Sequence, residues 1–273
     1  MERNTGLALR YAILAATIRL ALAPFFMHTW DVTTLLESTQ QFLNGINPYQ
    51  VVISNTVALR GRTSLPLSYE GYTYLPTMLY IYAPFVAIYN ALFKAPPIVN
   101  GHRVDILEIN YPNIFFSLML LKMPIILADS AAAYLLAKKN SRIGLMYALS
   151  PYTIVITSFW GHFDPLIGVM LLISCLMFDK NPFFSGIAYG VSLTKLYTIV
   201  ALPAYIVNLR RRPVRQAIAF VLGAVISLIP TIYFVTVSAD SFIGTLLYHG
   251  SRPIGGMNVY TAVSYTHLTL PTN

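Results

Sequence analysis

The sequence predicts an all-α fold: a polytopic transmembrane helix bundle of about eight membrane segments, with an amphipathic interfacial helix in the first external loop. Hydrophobic residues make up 56% of the chain and charged residues only 10%, and the mean hydropathy is +0.62. An ordinary soluble domain of 273 residues is not so apolar. The apolar residues are concentrated in runs at 11–27, 74–93, 114–136, 143–159, 166–178, 183–193, 196–207 and 217–237.

The excess of positive charge has a topological explanation. The formal net charge is +8 and the pI is about 9.5, and cytoplasmic loops of membrane proteins are rich in Lys and Arg. The basic loops 138–142 and 210–215 should therefore both be cytoplasmic. No basic patch is interleaved with a soluble fold, so nucleic acid is not a predicted partner. Cys175 is the only cysteine, which excludes an intramolecular disulfide and a cysteine metal site. We predict no metal site among these residues and no cofactor, and the sequence leaves the need for a divalent cation open.

The first apolar run, residues 11–27, is the first predicted transmembrane helix. It lacks a small-residue cleavage site, so it is not predicted to be a signal peptide. Arg3 and Arg10 precede it and Asp31 follows it, which places the amino terminus in the cytoplasm and Asp31 outside. Arg19 lies within this helix and is expected to snorkel or to pair inside the bundle.

The next segment, residues 31–44, has the pattern of an amphipathic helix. Its apolar residues recur at helical spacing with polar residues between them, and Gly45 and Pro48 end the pattern. A helix of this kind directly after a span should lie in the interface plane. It would hold Asp31 at the depth of the lipid headgroups.

The order of segments leaves one question open. Three apolar runs separate the cytoplasmic amino terminus from the basic loop 138–142, where an even number of crossings is required. Either the run 114–136, which contains Pro124, enters and returns, or another segment after Asp31 does not cross fully. If the number of crossings before this loop is even, the polar groups near His162, Lys195 and His249 all lie on the outer side with Asp31.

Four polar groups lie where apolar runs should leave the membrane. They are Asp31, Gly161-His162-Phe163-Asp164, Lys195, and His249-Gly250-Ser251-Arg252. Ionisable groups beside a membrane bundle are costly unless they are paired or used. If all four reach the same side, they form one site. Carboxylates with several cations suit a lipid-linked phosphate and a group transferred from it.

The candidate catalytic residues are Asp31, His162 and Asp164. Asp31 can accept a proton from an attacking hydroxyl as a general base, and it can also cap the interfacial helix. For His162 and Asp164 the structural alternative is an interfacial turn anchored by Trp160. The sequence leaves these alternatives open.

The candidate phosphate-binding residues are Lys122, Lys195, His249 and Arg252. Lys offers a phosphate a compact charge and Arg a planar fork. Lys122 lies seven positions before Asp129, hence on the same helical face, so a structural ion pair is an equal alternative for it. Glycine motifs of the Walker or dinucleotide type do not occur in the chain, which argues against a soluble nucleotide donor.

At these residues most of the chain resembles the GT-C superfamily, the membrane glycosyltransferases that use polyprenyl-phosphate sugars. The resembling segments are His28-Thr29-Trp30-Asp31, Asn47-Pro48-Tyr49, Leu121-Lys122-Met123-Pro124 with Asp129, Gly161-His162-Phe163-Asp164, and Thr194-Lys195-Leu196-Tyr197. The last three are similar to segments of its mannosyl- and glucosyltransferase branches. The paired acidic motif of the superfamily is reduced here to Asp31, so Asp31 and Asp164 both stand as candidate bases.

The resemblance implies inverting transfer of a hexose, with mannose favoured, from dolichyl or undecaprenyl phosphate. The loop aspartate would be the base, basic residues would hold the lipid phosphate, and the acceptor would be a glycolipid, glycan or protein on the extracytoplasmic face. Such a multi-pass protein lies in the plasma membrane of a prokaryote or the endoplasmic reticulum of a eukaryote.

Residues 1–263 are predicted to form one transmembrane domain, and residues 264–273 a non-native tail. The tail does not continue the hydrophobic pattern and looks like translated adapter sequence, so the natural protein is expected to be longer. The alternative function is a multi-pass transporter or lipid flippase. The sequence shows no internal repeat of broken helices, a common feature of transporters. The external loop that bears Asp31 also favours an enzyme.

Overall fold

The computed structural model describes residues 2–50, 72–93 and 111–251, and regular secondary structure in these ranges is helical throughout. The α-helices are α1 (Glu2–Leu22), α2 (Thr29–Leu43), α3 (Thr77–Phe93), α4 (Tyr111–Lys139), α5 (Ser141–Ala148), α6 (Pro151–Ile154), α7 (Asp164–Met177), α8 (Pro182–Ser192), α9 (Leu202–Leu209), α10 (Val214–Ser227) and α11 (Ile229–Ser251). A π-helix, Val155–Trp160, continues α6, and 3₁₀-helices span Ala23–Phe25 and Leu196–Ala201. The predicted all-α class is confirmed.

Among the described residues, three helices are long and apolar enough to cross a membrane: Thr5–Phe25, Phe115–Lys139 and Ile229–Leu247. A fourth span results if Ser141–Ala148 and Pro151–Trp160, which are bent by 44° where they meet, are counted together. Four further apolar helices of the described chain have 10–17 residues, shorter than the usual span of about 20. These helices are those of a membrane protein, as the composition predicts.

A buried ion pair joins α1 to α4. Arg19 Nε lies 2.5 Å from Asp129 Oδ2, and neither side chain is exposed to solvent. Arg19 also donates to Thr153 Oγ1, and Tyr147 donates to Asp129 Oδ1. The prediction that Arg19 pairs inside the bundle is confirmed. The alternative pairing of Asp129 with Lys122 is wrong, because the Lys122 ammonium donates to three backbone carbonyls instead.

Helix α4 is continuous through Pro124, so the explanation in which this run enters and returns is wrong. Its first half lies beside the end of α1, where the rings of Phe25 and Phe115 are 5.3 Å apart, and its last turn is basic. The two helices are antiparallel, which brings the basic loop 138–142 to the end of the bundle where α1 begins. We call this the amino-terminal end and the opposite end the Asp31 end.

Helix α3 begins at the Asp31 end of the bundle and packs against α2. It has 17 residues and contains Pro84. It begins next to Thr194, whose carbonyl lies 3.5 Å from the backbone nitrogen of Leu75. Further along, Val86 packs in one cluster with Val32 of α2. Both of these contacts lie at the Asp31 end.

Small residues allow α8 and α10 to pack at close range. A Cβ atom at Gly186 would lie 2.0 Å from the carbonyl oxygen of Phe220, and one at Gly190 would lie 1.9 Å from Ser227 Oγ. Glycines spaced four apart are a common means by which membrane helices associate. The order of these contacts shows that α8 and α10 run in the same direction, and both end at the Asp31 end.

The apolar run 217–237, expected as one segment, is divided between α10 and α11 at Leu228. Pro230 is the second residue of α11, a position that proline favours, and its missing N–H removes one hydrogen bond that would join α11 to α10. Helix α11 is itself broken at Ser238, whose φ of −156° and ψ of 64° are not helical. Asn47 donates to Ser238 Oγ at 2.6 Å, and Leu246 lines the same cavity as Lys195. Helix α11 therefore begins and ends at the Asp31 end.

Candidate functional site

Three of the four predicted polar groups converge at the Asp31 end. Asp31 lies in the first turn of α2, and His162 lies in the turn between the π-helix and α7. Asp164 is the first residue of α7, and Lys195 lies between α8 and the 3₁₀-helix Leu196–Ala201. His162 is in the middle of the cluster. Its Nε2 is 3.9 Å from Asp31 Oδ1, and its Nδ1 is 3.0 Å from Asp164 Oδ2.

Asp31 is not the helix cap. Helix α2 begins at Thr29, two residues earlier than predicted, so its N-cap is His28, which makes no side-chain capping bond. The Asp31 carboxylate instead accepts a hydrogen bond from the indole of Trp160, and its Oδ2 lies 2.8 Å from His28 Nδ1. The amino-terminal end of a helix favours a negative charge at this position. The capping interpretation is therefore wrong.

A left-handed glycine turns the chain between the π-helix and α7. Gly161 has φ +78°, and a Cβ atom there would lie 2.7 Å from Val32 Cγ2. Only glycine adopts this conformation at no steric cost. The turn is joined to the start of α2 because the His28 backbone N–H donates to the Trp160 carbonyl at 2.9 Å. This bond sets His162 facing Asp31.

Lys195 is held inside the cluster by charge and by aromatic rings. Its Nζ is 2.6 Å from Asp164 Oδ1 and 3.1 Å from His162 Nε2. The same Nζ lies 4.9 Å from the centre of the Phe163 ring and 5.6 Å from that of Tyr74, distances suited to cation–π attraction. Asp164 also accepts a hydrogen bond from Tyr197 OH at 3.2 Å.

Burial and pairing act in opposite directions on the charges of this cluster. Burial lowers the pKa of Lys195, and the neighbouring carboxylates of Asp164 and Asp31 oppose that shift. Burial would raise the pKa of Asp164, but the hydrogen bond from His162 and the charge of Lys195 hold that pKa well below its usual range. Asp164 is therefore an ionised partner of Lys195.

A cavity of about 480 Å³ opens beside this cluster. His162, Lys195 and Thr194 give it one polar wall, and Leu196 and Leu246 give it an apolar one. The cavity therefore offers a cation to an anionic group and an apolar surface to a chain attached to that group.

The other predicted phosphate-binding residues are placed differently. Lys122 is 1% exposed, and its ammonium donates to the backbone carbonyls of Ala23, Phe26 and Ser158. His249 lies in the last turn of α11, one turn after Leu246, and only its backbone is described. The prediction for Arg252 lies outside the described residues.

Sequence reasoning missed two polar residues of the cluster, His28 and Tyr197. His28 precedes Asp31 by three positions, which is one turn of the helix that follows, and helical spacing would have indicated the contact. Tyr197 follows Lys195 by two positions in a segment with 3₁₀ geometry. No regular period predicts its contact with Asp164.

These observations define a class of protein: a helical membrane protein with a charged site at one end of its bundle. Within the described ranges, groups of three or more His, Cys, Asp or Glu suited to a metal ion are absent. Comparison with models of protein families, with curated proteins and with solved structures gives no match to this chain.

Proposed function

We propose that this protein is a polytopic membrane glycosyltransferase of the GT-C type. It transfers a hexose, with mannose favoured, from a polyprenyl-phosphate donor to a glycolipid, glycan or protein acceptor on the extracytoplasmic face. The observation that carries the proposal is the convergence of Asp31, His162, Asp164 and Lys195 beside a cavity of about 480 Å³. A membrane transferase of this kind needs a carboxylate for the acceptor and a cation for the lipid phosphate.

In the proposed reaction, Lys195 holds the donor phosphate. The acceptor hydroxyl attacks the anomeric carbon from the opposite side, and the bond from that carbon to the phosphate oxygen breaks. The electron pair of that bond leaves with the lipid phosphate, and the hydroxyl proton passes to Asp31. The ammonium is held in a fixed position by Asp164, and a fixed positive charge stabilises the leaving phosphate.

Of the two candidate bases, Asp31 is the better supported. The Asp164 carboxylate is occupied by Lys195 at 2.6 Å, by His162 at 3.0 Å and by Tyr197 at 3.2 Å. Its pKa is held well below the usual range for this reason, and a weak base is a poor proton acceptor. Asp31 has no Lys or Arg within ion-pair distance among the described residues.

The surface beside the cavity suits the lipid part of the donor. Leu196 lines the cavity, and Ile199 and Val200 of the same 3₁₀-helix are exposed. Together they form an apolar strip that starts at the cation, and a polyprenyl chain could lie along it within the bilayer while its phosphate reaches Lys195.

We propose about eight membrane segments. Seven cross the bilayer, namely α1, α4, α5 with the π-helix, α7, α8, the 3₁₀-helix Leu196–Ala201 with α9, and α10. The eighth is the broken helix α11, while α2 and α3 lie at the outer interface.

Two exposed positions test this arrangement. In a Cys175→Ser background, Asn44→Cys should react with an impermeant thiol reagent added outside, and Lys139→Cys should not. The reverse pattern would contradict the proposed orientation.

The function itself is tested by incubating the purified protein in proteoliposomes with labelled dolichyl-phosphate mannose or undecaprenyl-phosphate glucose. An alkyl mannoside serves as the hydroxyl acceptor. Formation of a labelled glycoside, lost in Lys195→Ala, supports the proposal. Movement of donor across the bilayer without glycoside formation would favour the transporter or flippase instead.

A further inference from the structure

We propose that Lys122 is a positioning residue, which fixes the Asp31 segment against the His162 turn and does not contact the donor phosphate. The inference rests on the proposed function for its kinetic consequence and on geometry for the role itself. The sequence predicts Lys122 as a phosphate-binding residue, but its ammonium points at backbone carbonyls inside the protein.

The three donors of the Lys122 ammonium are all occupied within the protein. Nζ donates to the carbonyl of Ala23 at 2.9 Å, to that of Ser158 at 2.6 Å, and to that of Phe26. An ammonium group has three N–H donors and no acceptor. With 1% of the residue exposed, neither a free donor nor an open path is left for a phosphate.

The accepting carbonyls belong to the two segments that carry the site. Phe26 lies five residues before Asp31, and Ser158 lies four residues before His162. Both carbonyls stand at irregular helix ends, where backbone acceptors lack regular helical partners. One buried cation therefore ties together the two segments whose side chains meet across the 3.9 Å between His162 and Asp31.

The aliphatic part of Lys122 supports the same junction. The His162 turn begins at Gly161, and a Cβ atom there would lie 3.0 Å from Lys122 Cε and 2.7 Å from Val32 Cγ2. The rings of Phe26 and Phe159 stack 4.0 Å apart beside it. The lysine side chain thus fills the space beneath the turn, and its ammonium fixes the backbone on both sides.

The first test separates positioning from phosphate binding by kinetics. Lys122→Met keeps the apolar stem and removes the three hydrogen bonds. We expect kcat for mannosyl transfer from dolichyl-phosphate mannose to fall on the order of 100-fold, the usual effect of a misplacement of about 1 Å. The affinity for dolichyl-phosphate mannose should stay within about twofold, because no charge-assisted contact with the donor is lost. Lys138→Met, an exposed cation on the same helix, is the control and should change neither quantity.

A second variant and a second readout keep the inference testable if Lys122→Met folds poorly or if no transfer is found. Gly161→Ala disturbs the same junction without removing a charge and should give the same kinetic pattern. In a Trp30→Phe background, Trp160 is the remaining tryptophan, and its emission reports the contact with Asp31. The emission maximum should shift in Lys122→Met and not in Lys138→Met.

The outcomes are distinguishable. A loss of donor affinity in Lys122→Met with kcat unchanged would overturn the inference and assign Lys122 to the phosphate. An unchanged Trp160 emission would overturn it whatever the activity. Absence of transfer by the wild-type protein, with a shifted emission in Lys122→Met, would reject the proposed function and retain the positioning role.

Discussion

Replacement of Asp31 by asparagine tests the catalytic proposal directly. Asparagine keeps a carbonyl oxygen that can accept the hydrogen bond from the Trp160 indole, so the contact between α2 and the π-helix should persist. It cannot accept a proton at neutral pH. The substitution therefore removes the proposed base and leaves its surroundings in place.

The expected effects on folding and on rate differ enough to be separated. Loss of one negative charge in the first turn of α2 costs about 0.3–1 kcal/mol of stability. Loss of a positioned general base typically reduces the rate 10²- to 10⁴-fold, which corresponds to about 3–5 kcal/mol of activation free energy. Asp31→Asn should therefore remain folded at assay temperature while its turnover falls by at least two orders of magnitude.

The assay measures transfer from labelled dolichyl-phosphate mannose at saturating donor and acceptor, with the folded fraction measured by size-exclusion chromatography in detergent. Asp164→Asn is the matched control. It removes the partner of Lys195 at 2.6 Å and should change donor affinity more than turnover. Wild-type turnover in Asp31→Asn, or a larger loss of turnover in Asp164→Asn, would refute Asp31 as the base.

Three further predictions concern stability. Arg19→Met should destabilise the protein by about 3–5 kcal/mol because it leaves Asp129 buried and unpaired. Adding Asp129→Leu should restore part of the melting temperature measured by thermal denaturation. Equal melting temperatures of the single and double variants would contradict this. Gly190→Leu should separate α8 from α10 and abolish a monodisperse peak on size-exclusion chromatography, whereas Gly168→Leu, where a Cβ meets no atom within 4 Å, should not. The pKa of Asp164 is depressed in the folded protein, so its ionised form stabilises the fold fully above about pH 4. This contribution is lost as the pH falls through the folded-state pKa. Below pH 4 the melting temperature of Asp164→Asn should therefore fall less than that of the wild type.

Patterns within one segment were predictable from the sequence. A helix was expected over 31–44, and the structure has α2 at Thr29–Leu43, because the apolar spacing and Gly45 determine where a helix can run and end. The turn at Gly161 was likewise expected, and the structure places it between the π-helix and α7. The convergence of Asp31, His162 and Lys195 followed from a simple regularity: loops that alternate between the two ends of a bundle meet at the same end.

Contacts between distant segments were not predictable in the same way. Periodicity along one helix suggested Lys122 as the partner of Asp129, because a single segment reveals only neighbours at helical spacing. The true partner, Arg19, is 110 positions away. The packing of α3 against α2 was also undetermined, since an apolar run of this length predicts a span and does not show which helix it contacts.

The distance in sequence between Arg19 and Asp129 has a consequence for how the protein is made. Ribosomes extend a chain at about 5–20 residues per second, so the 110 positions between them correspond to about 6–22 seconds of synthesis. During that interval α1 carries a cation whose carboxylate partner does not yet exist. An unpaired arginine in a membrane helix is costly. We therefore expect α1 to stay in a hydrated or protein-lined environment, such as the insertion channel, until it can enter lipid together with α4.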